Sequence, residues 1–317
     1  MKFGPLEIGK RNEQIRLHAG AVNPRSFLEA ARKLSWHGFF RQFSAPVNYS
    51  DMIKATYESF GLETDLVEKA HSRWEAPNEI HYLNALQSLA ESGGIYLGVA
   101  TEPVNFTYIA RVKPELAVFI DINPSVSRVQ LPLKGALLEV AENRLQFLSL
   151  VLGRPISDRA VPELKSAQDY YNFFSQIPYD PAFRQQTWLR IESRLDPEVR
   201  GDAYESWLNN FGLESEDVLL GKYLYWNMGV TDPQGKEGAW LSAEQDYLYI
   251  RQMWLEGRIK GVTGDLSGPV MEKLSGLVKQ MGQQVSCMYI SNCEDPLEIH
   301  GRLSAFKRSL RSLPWQF

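Results

Sequence analysis

Between Gly93 and Asn123 the chain reads as a complete strand–helix–strand unit, and a parallel sheet is what such a unit builds. Ile95 to Val99 is a short apolar run bounded by glycines and partly β-branched, which suits a strand buried on both faces. Pro103 suits the first position of a helix that ends before Pro114. Leu116 to Ile120 is a second apolar run, closed by Asp121. From Gly98 to Asp121 is 23 residues, close to the interval between the glycine turn of a nucleotide-binding unit and the acid that holds a ribose. A nucleotide-type cofactor is therefore the leading expectation.

The remaining segments fall into place around this unit. Residues 1–92 read as an N-terminal helical region: Phe27, Leu28, Ala31 and Leu34 share one face, Ser50 caps a second helix, and Leu66, Val67, Ala70 and Trp74 form a third. Pro77 starts a fourth helix with Ile80, Leu83, Leu86 and Leu89 inward. Residues 93–152 form the first half of the core, in which residues 126–153 are one helix by period, kinked or started later at Pro132. Residues 153–241 carry four Trp and many Tyr and Phe, so they are expected to be a helical insertion with an aromatic core. An aromatic-walled substrate pocket is the alternative. Residues 242–317 complete the core with a capping box at Ser242 and Gln245, strands at Ile259–Thr263 and Val285–Ile290, and a helix at Pro269–Gln280. The expected fold is α/β, a Rossmann-like parallel sheet.

Several function classes are excluded at this level. The net charge of −4 and the absence of a long basic run argue against nucleic acid as a partner. Met1 to Glu7 has no apolar core of signal-peptide length, and no run approaches the ~20 residues of a membrane span, so a cytoplasmic protein without a membrane role is expected. Cys287 and Cys293 are too few for a disulfide framework or a zinc site, and the five histidines show no ligand spacing, so no metal is expected. There is no Gly-x-Ser-x-Gly elbow, Walker loop or His-Glu-x-x-His helix.

In an open parallel sheet the ligand sits beyond the carboxyl ends of the strands. The groups there are Ala100-Thr101-Glu102, Asp121 to Asn123, Gly264-Asp265 and Ser291-Asn292-Cys293-Glu294, all small or polar. The turn at Gly98 has one glycine where a dinucleotide pyrophosphate needs several, and Glu102 would repel a diphosphate. S-adenosylmethionine meets neither objection. Asp121 can accept from both ribose hydroxyls, Asp265 from the adenine amine, and Glu102 can offset the ammonium or sulfonium.

The segments Gly93 to Val99, Asn105-Phe106-Thr107-Tyr108-Ile109-Ala110, Pro114 to Ile122, Gly264 to Pro269 and Tyr289 to Glu294 carry a resemblance, with Pro77-Asn78-Glu79 and Tyr82-Leu83 ahead of them. Together they resemble an uncharacterised bacterial family whose fold is similar to S-adenosylmethionine-dependent methyltransferases. The resemblance implies a methyltransferase of a small-molecule substrate, or a binding or regulatory protein that keeps the fold without turnover. It adds Asn105 and Ser291 to the expected cofactor contacts, and Asn123, just beyond the second strand, joins them although that family usually has Arg at its position. It also places Asn292 and Glu294 beside the acceptor, as an orienting amide and a general base. Ala100, Thr101, Glu102 and Val104 depart from that family's usual Gly-Pro-x-Gln stretch.

Overall fold

A computed structural model describes residues 82–86, 89–99, 102–156, 161–209, 211, 215–290 and 293–316. The first three helices read from the sequence lie outside the described residues, and of the fourth α1 (Leu83–Leu86) is seen. Four strands follow: β1 (Ile95–Val99), β2 (Leu116–Asp121), β3 (Ile259–Thr263) and β4 (Val285–Tyr289). All pair in parallel, in the order β3-β2-β1-β4. The strands agree with the sequence reading to within one residue at each end. The helix α2 (Glu102–Val112) joins β1 to β2, and Pro103 takes its second position.

The central strands β1 and β2 are buried on both sides, which explains why they read as continuous apolar runs, whereas the edge strands β3 and β4 are only partly buried. Successive side chains on a strand point to opposite faces. Ile95, Leu97, Leu116, Val118 and Ile120 join one core with Val270, Met271, Leu274 and Phe306. Tyr96, Ala117 and Phe119 join the other with Phe106, Ile109 and Trp240.

Between β2 and β3 lie α3 (Leu131–Val140), α4 (Arg144–Leu152), α5 (Ala167–Ser175), α6 (Pro181–Ile191), α7 (Arg200–Leu208), α8 (Glu216–Leu224) and α9 (Glu244–Leu255). After β3 come α10 (Pro269–Gln280), α11 (Glu294–Ile299) and α12 (Leu303–Ser312). Most aromatic residues of the insertion are core: Tyr170, Phe174, Trp188, Trp207, Phe211, Tyr223 and Trp240 are buried in one cluster that is continuous with the α2 face of the sheet, Phe173, Phe183 and Trp226 pack partly buried against it, and Tyr171 and Tyr225 are exposed.

Two local readings are corrected. Residues 126–153 are not one helix, because the chain turns extended at Ala141 (φ −98°, ψ 124°) and restarts where Asn143 accepts a hydrogen bond from the Gln146 N–H. Pro132 does not break the chain. A π-turn at Val126–Gln130 precedes it, and Pro132 falls at the first positions of α3, where proline is best tolerated. The second correction concerns Ser242, which forms no capping box with Gln245. Its hydroxyl donates to the Met228 carbonyl, and α9 starts behind Ala243 with no side-chain cap. The Ser242 hydroxyl is directed at the distant Met228 carbonyl instead of accepting from the local backbone N–H, and it is Ser166 with Asp169 that forms a reciprocal cap, on α5.

Candidate functional site

The strand order fixes where a ligand of a parallel sheet would sit. From β1 the chain steps outward to β2 and β3, then returns to the other side of β1 as β4, so the order reverses between β1 and β4. The crevice outside the carboxyl ends of those strands is the usual ligand position in such sheets. Of the residues expected there, Ala100, Thr101, Ser291 and Asn292 lie outside the described residues, and Glu102 is placed as the first residue of α2.

At the end of β1, Gly98 and Asn105 form one unit. Asn105 is fully buried, accepts from the Tyr96 hydroxyl at 2.6 Å and donates to the Val99 carbonyl at 2.6 Å. A Cβ on residue 98 would stand 1.9 Å from the Asn105 Oδ1, so the glycine is needed for this amide to tie α2 to the strand. The space beside the turn glycine is thus filled by Asn105.

At the end of β2, Asp121 is 9% exposed, and its Oδ1 accepts from the Asn123 N–H at 2.7 Å. Asn123 Oδ1 in turn accepts from the Ser125 N–H at 2.9 Å. These two side-chain turns shape the entry into the π-turn. The Gly264 N–H donates to the Asp121 carbonyl at 2.8 Å, and the hydroxyls of Ser127 and Thr263 lie 2.7 Å apart, so the ends of β2 and β3 are pinned together. Asp265 has both oxygens engaged. Its Oδ1 accepts from the N–H and hydroxyl of Ser267, and its Oδ2 pairs with Arg302 at 2.7 Å. Glu294 is exposed at the start of α11. The structure therefore brings Gly98 and Asn105 together at one strand end, and Asp121, Asn123 and Gly264 at the next.

A group of tyrosines at the β1/β4 junction was not singled out from the sequence. The rings of Tyr108 on α2 and Tyr289 at the end of β4 stack at 5.5 Å, and the Tyr108 hydroxyl donates to the Tyr82 carbonyl. Burial raises the phenol of Tyr96 well above its ordinary range, and the neighbouring Cys287, Tyr108 and Tyr289 add to the shift. Cys287, the β4 partner of Tyr96, is half-buried, and burial pushes its thiol up to about 12, away from the thiolate form. The available signal was the Tyr at the same face of two neighbouring strands, but register between β1 and β4 is needed to see it.

Among the described residues no group of His, Cys, Asp or Glu is placed to hold a metal ion, and no helix is long and apolar enough to cross a membrane. No curated protein matches the chain. Residues 74–316 match a family described as Domain of unknown function (DUF7790), which covers the whole four-stranded core, and the chain belongs to that family.

Proposed function

We propose that the carboxyl ends of β1 and β2 bind an adenosyl ligand, S-adenosylmethionine, and that the protein transfers its methyl group to a small-molecule acceptor. The observation that carries this reading is the buried carboxylate of Asp121 at the end of the strand beside the switch point. Asp121 would accept from the ribose hydroxyls, with Asn123 holding its orientation through the 2.7 Å bond to Oδ1. Asp265 can take the adenine amine only as a donor additional to Ser267 and Arg302. Gly98, Ala100, Thr101, Glu102, Asn105, Gly264 and Ser291 would complete the cofactor wall. Asn292 and Glu294 would face the acceptor. Methyl transfer from a sulfonium is an in-line displacement in which the cofactor supplies the reactive carbon, so the protein's main task is alignment.

A second reading is favoured by one observation. Asn105 occupies the place beside Gly98 where a ligand-binding turn leaves its backbone open, which suits a protein that keeps the fold and binds without turnover.

Isothermal titration with S-adenosylmethionine and S-adenosylhomocysteine, with NAD as control, tests both. Saturable binding of the adenosyl ligands, weakened about 10- to 100-fold by Asp121→Ala with the fold intact by circular dichroism, is the expected result; it corresponds to about 1.5–3 kcal/mol for a charged hydrogen bond. Binding that Asp121→Ala leaves unchanged, or no binding at all, overturns the adenosyl reading. Equal binding of both ligands with no methyl lost to any acceptor selects the second.

A further inference from the structure

A concavity lies away from the strand carboxyl ends. It is a cleft of about 790 Å³ alongside the C-terminal half of α2, which runs back toward the amino ends of the sheet. Its volume is in the range of small-molecule sites. The walls come from α1, α2, the turn joined by the Thr231–Glu237 bridge, and the starts of α5 and α9. Leu83, Leu86 and Ala110 supply an apolar floor.

The charged groups around this floor divide into those with a structural task and those without one. Lys113 pairs with Glu91, and Lys165 with Glu163. Both Glu237 oxygens accept from the Ala167 N–H at the start of α5, at 3.0 Å. Asp232 accepts from the N–H groups of Gln234 and Lys236 within its own turn. Three groups remain. Asp246, half-buried in the first turn of α9, has no hydrogen bond or ion pair among the described residues. Arg111 uses its Nε on the Leu89 carbonyl and is otherwise exposed to the cleft. The Lys236 ammonium extends from an exposed residue at the rim.

We propose that this cleft is a second ligand site, for a short apolar peptide or amino acid bound as its zwitterion, with the ammonium on Asp246 and the carboxylate at Arg111 and Lys236. A half-buried carboxylate that accepts no hydrogen bond from the described residues, its charge offset only through space by Lys113 and Arg111, is costly to ionise, and an arriving ammonium relieves that cost. The apolar floor takes the ligand's side chains. Burial raises the Asp246 carboxyl above its ordinary value of 3.8, against the opposing pull of Lys113 and Arg111. The folded protein therefore holds this proton to higher pH than the unfolded chain does. The contribution of Asp246 to stability is present below about 3.8 and is lost as pH rises through the folded value. At neutral pH, Asp246→Asn should thus leave the melting temperature unchanged or raised while damaging the site, the pattern of a residue kept for binding.

The test is titration of the full chain with L-leucyl-L-leucine, its N-acetyl form and its C-terminal amide. The expected result is saturable binding of the free dipeptide, weakened at least tenfold by N-acetylation and, independently, by Asp246→Asn. The two losses should not add, because each removes one side of the same contact. Arg111→Gln should behave in the same way toward the amide. The proposal is overturned if the free dipeptide does not bind saturably at millimolar concentration. It is equally overturned if Asp246→Asn weakens the free and N-acetyl forms by the same factor, since Asp246 would then not meet the ammonium.

Discussion

The contact between Gly98 and Asn105 shows how a single missing Cβ can organise a strand end. The amide of Asn105 is buried, bonded to Tyr96 and Val99, and stands where any side chain at 98 would project. Gly98→Ala is expected to destabilise the protein by about 1–3 kcal/mol, the usual range for overpacking a well-filled site, read as a lower urea midpoint at constant slope. In an Asn105→Ala background the same change should be smaller, because the closest clashing atoms are gone and only the Tyr96 ring edge at 2.8 Å remains; an equal loss in both backgrounds would remove Asn105 as the cause. Arg184 makes the same point for a charge. Its guanidinium donates to the carbonyls of Trp207 and Val151 and lies 4.0 Å from the Trp207 ring, and burial lowers its pKa to about 10. The planar fork suits it to two carbonyls and a ring at once. Nothing within four residues of Arg184 in sequence announces either partner.

At the scale of elements, α3 and α9 approach most closely where Gly135 meets Trp254. A Cβ at 135 would stand 1.7 Å from the indole ring, whose Nε1 donates to Glu139. In an exposed helix Gly→Ala gains about 1 kcal/mol from propensity. Here the overlap, about 1–3 kcal/mol, opposes that gain. Gly135→Ala is therefore expected to lower stability, and in a Trp254→Ala background to be neutral or stabilising by up to about 1 kcal/mol. Thermal unfolding of the two single variants and the double variant decides it, and stabilisation by Gly135→Ala alone would contradict the close approach. The same helix pair carries Lys134, fully buried, with its ammonium 2.9 Å from the Tyr223 hydroxyl and facing the rings of Phe147, Phe211 and Tyr223. A periodicity argument assigns a lysine to the solvated face; the Tyr223 hydroxyl and the surrounding rings of Phe147, Phe211 and Tyr223 help to make its burial tolerable.

For the whole molecule, the buried tyrosines set the alkaline limit. Burial raises the phenols of Tyr82, Tyr96 and Tyr247 well above the ordinary 10. Their contribution is complete below about pH 10 and falls as pH rises, because the unfolded chain releases these protons first. Alkaline titration should show part of the tyrosinate absorbance appearing together with loss of circular dichroism above about pH 10; full tyrosinate absorbance ahead of unfolding would mean that the cluster is wet. The two halves of the fold were unequally legible. The four strands, their glycine and proline boundaries and the helices α2 and α10 follow from the sequence, because burial, complete along β2 and nearly so along β1, and local turn chemistry leave their mark on consecutive residues. Asp121 and Gly264 could be placed at strand ends for the same reason. What the sequence could not contain is every relation that depends on who sits opposite. Ser242 found Met228 rather than its local partner, Asp265 found Arg302, and the cleft around Asp246 is assembled from five separated segments. Local propensity is a sum over neighbours in the chain, whereas hydrogen bonding and burial are settled by neighbours in space, and those were decided only when the sheet order and the helical insertion had closed on one another.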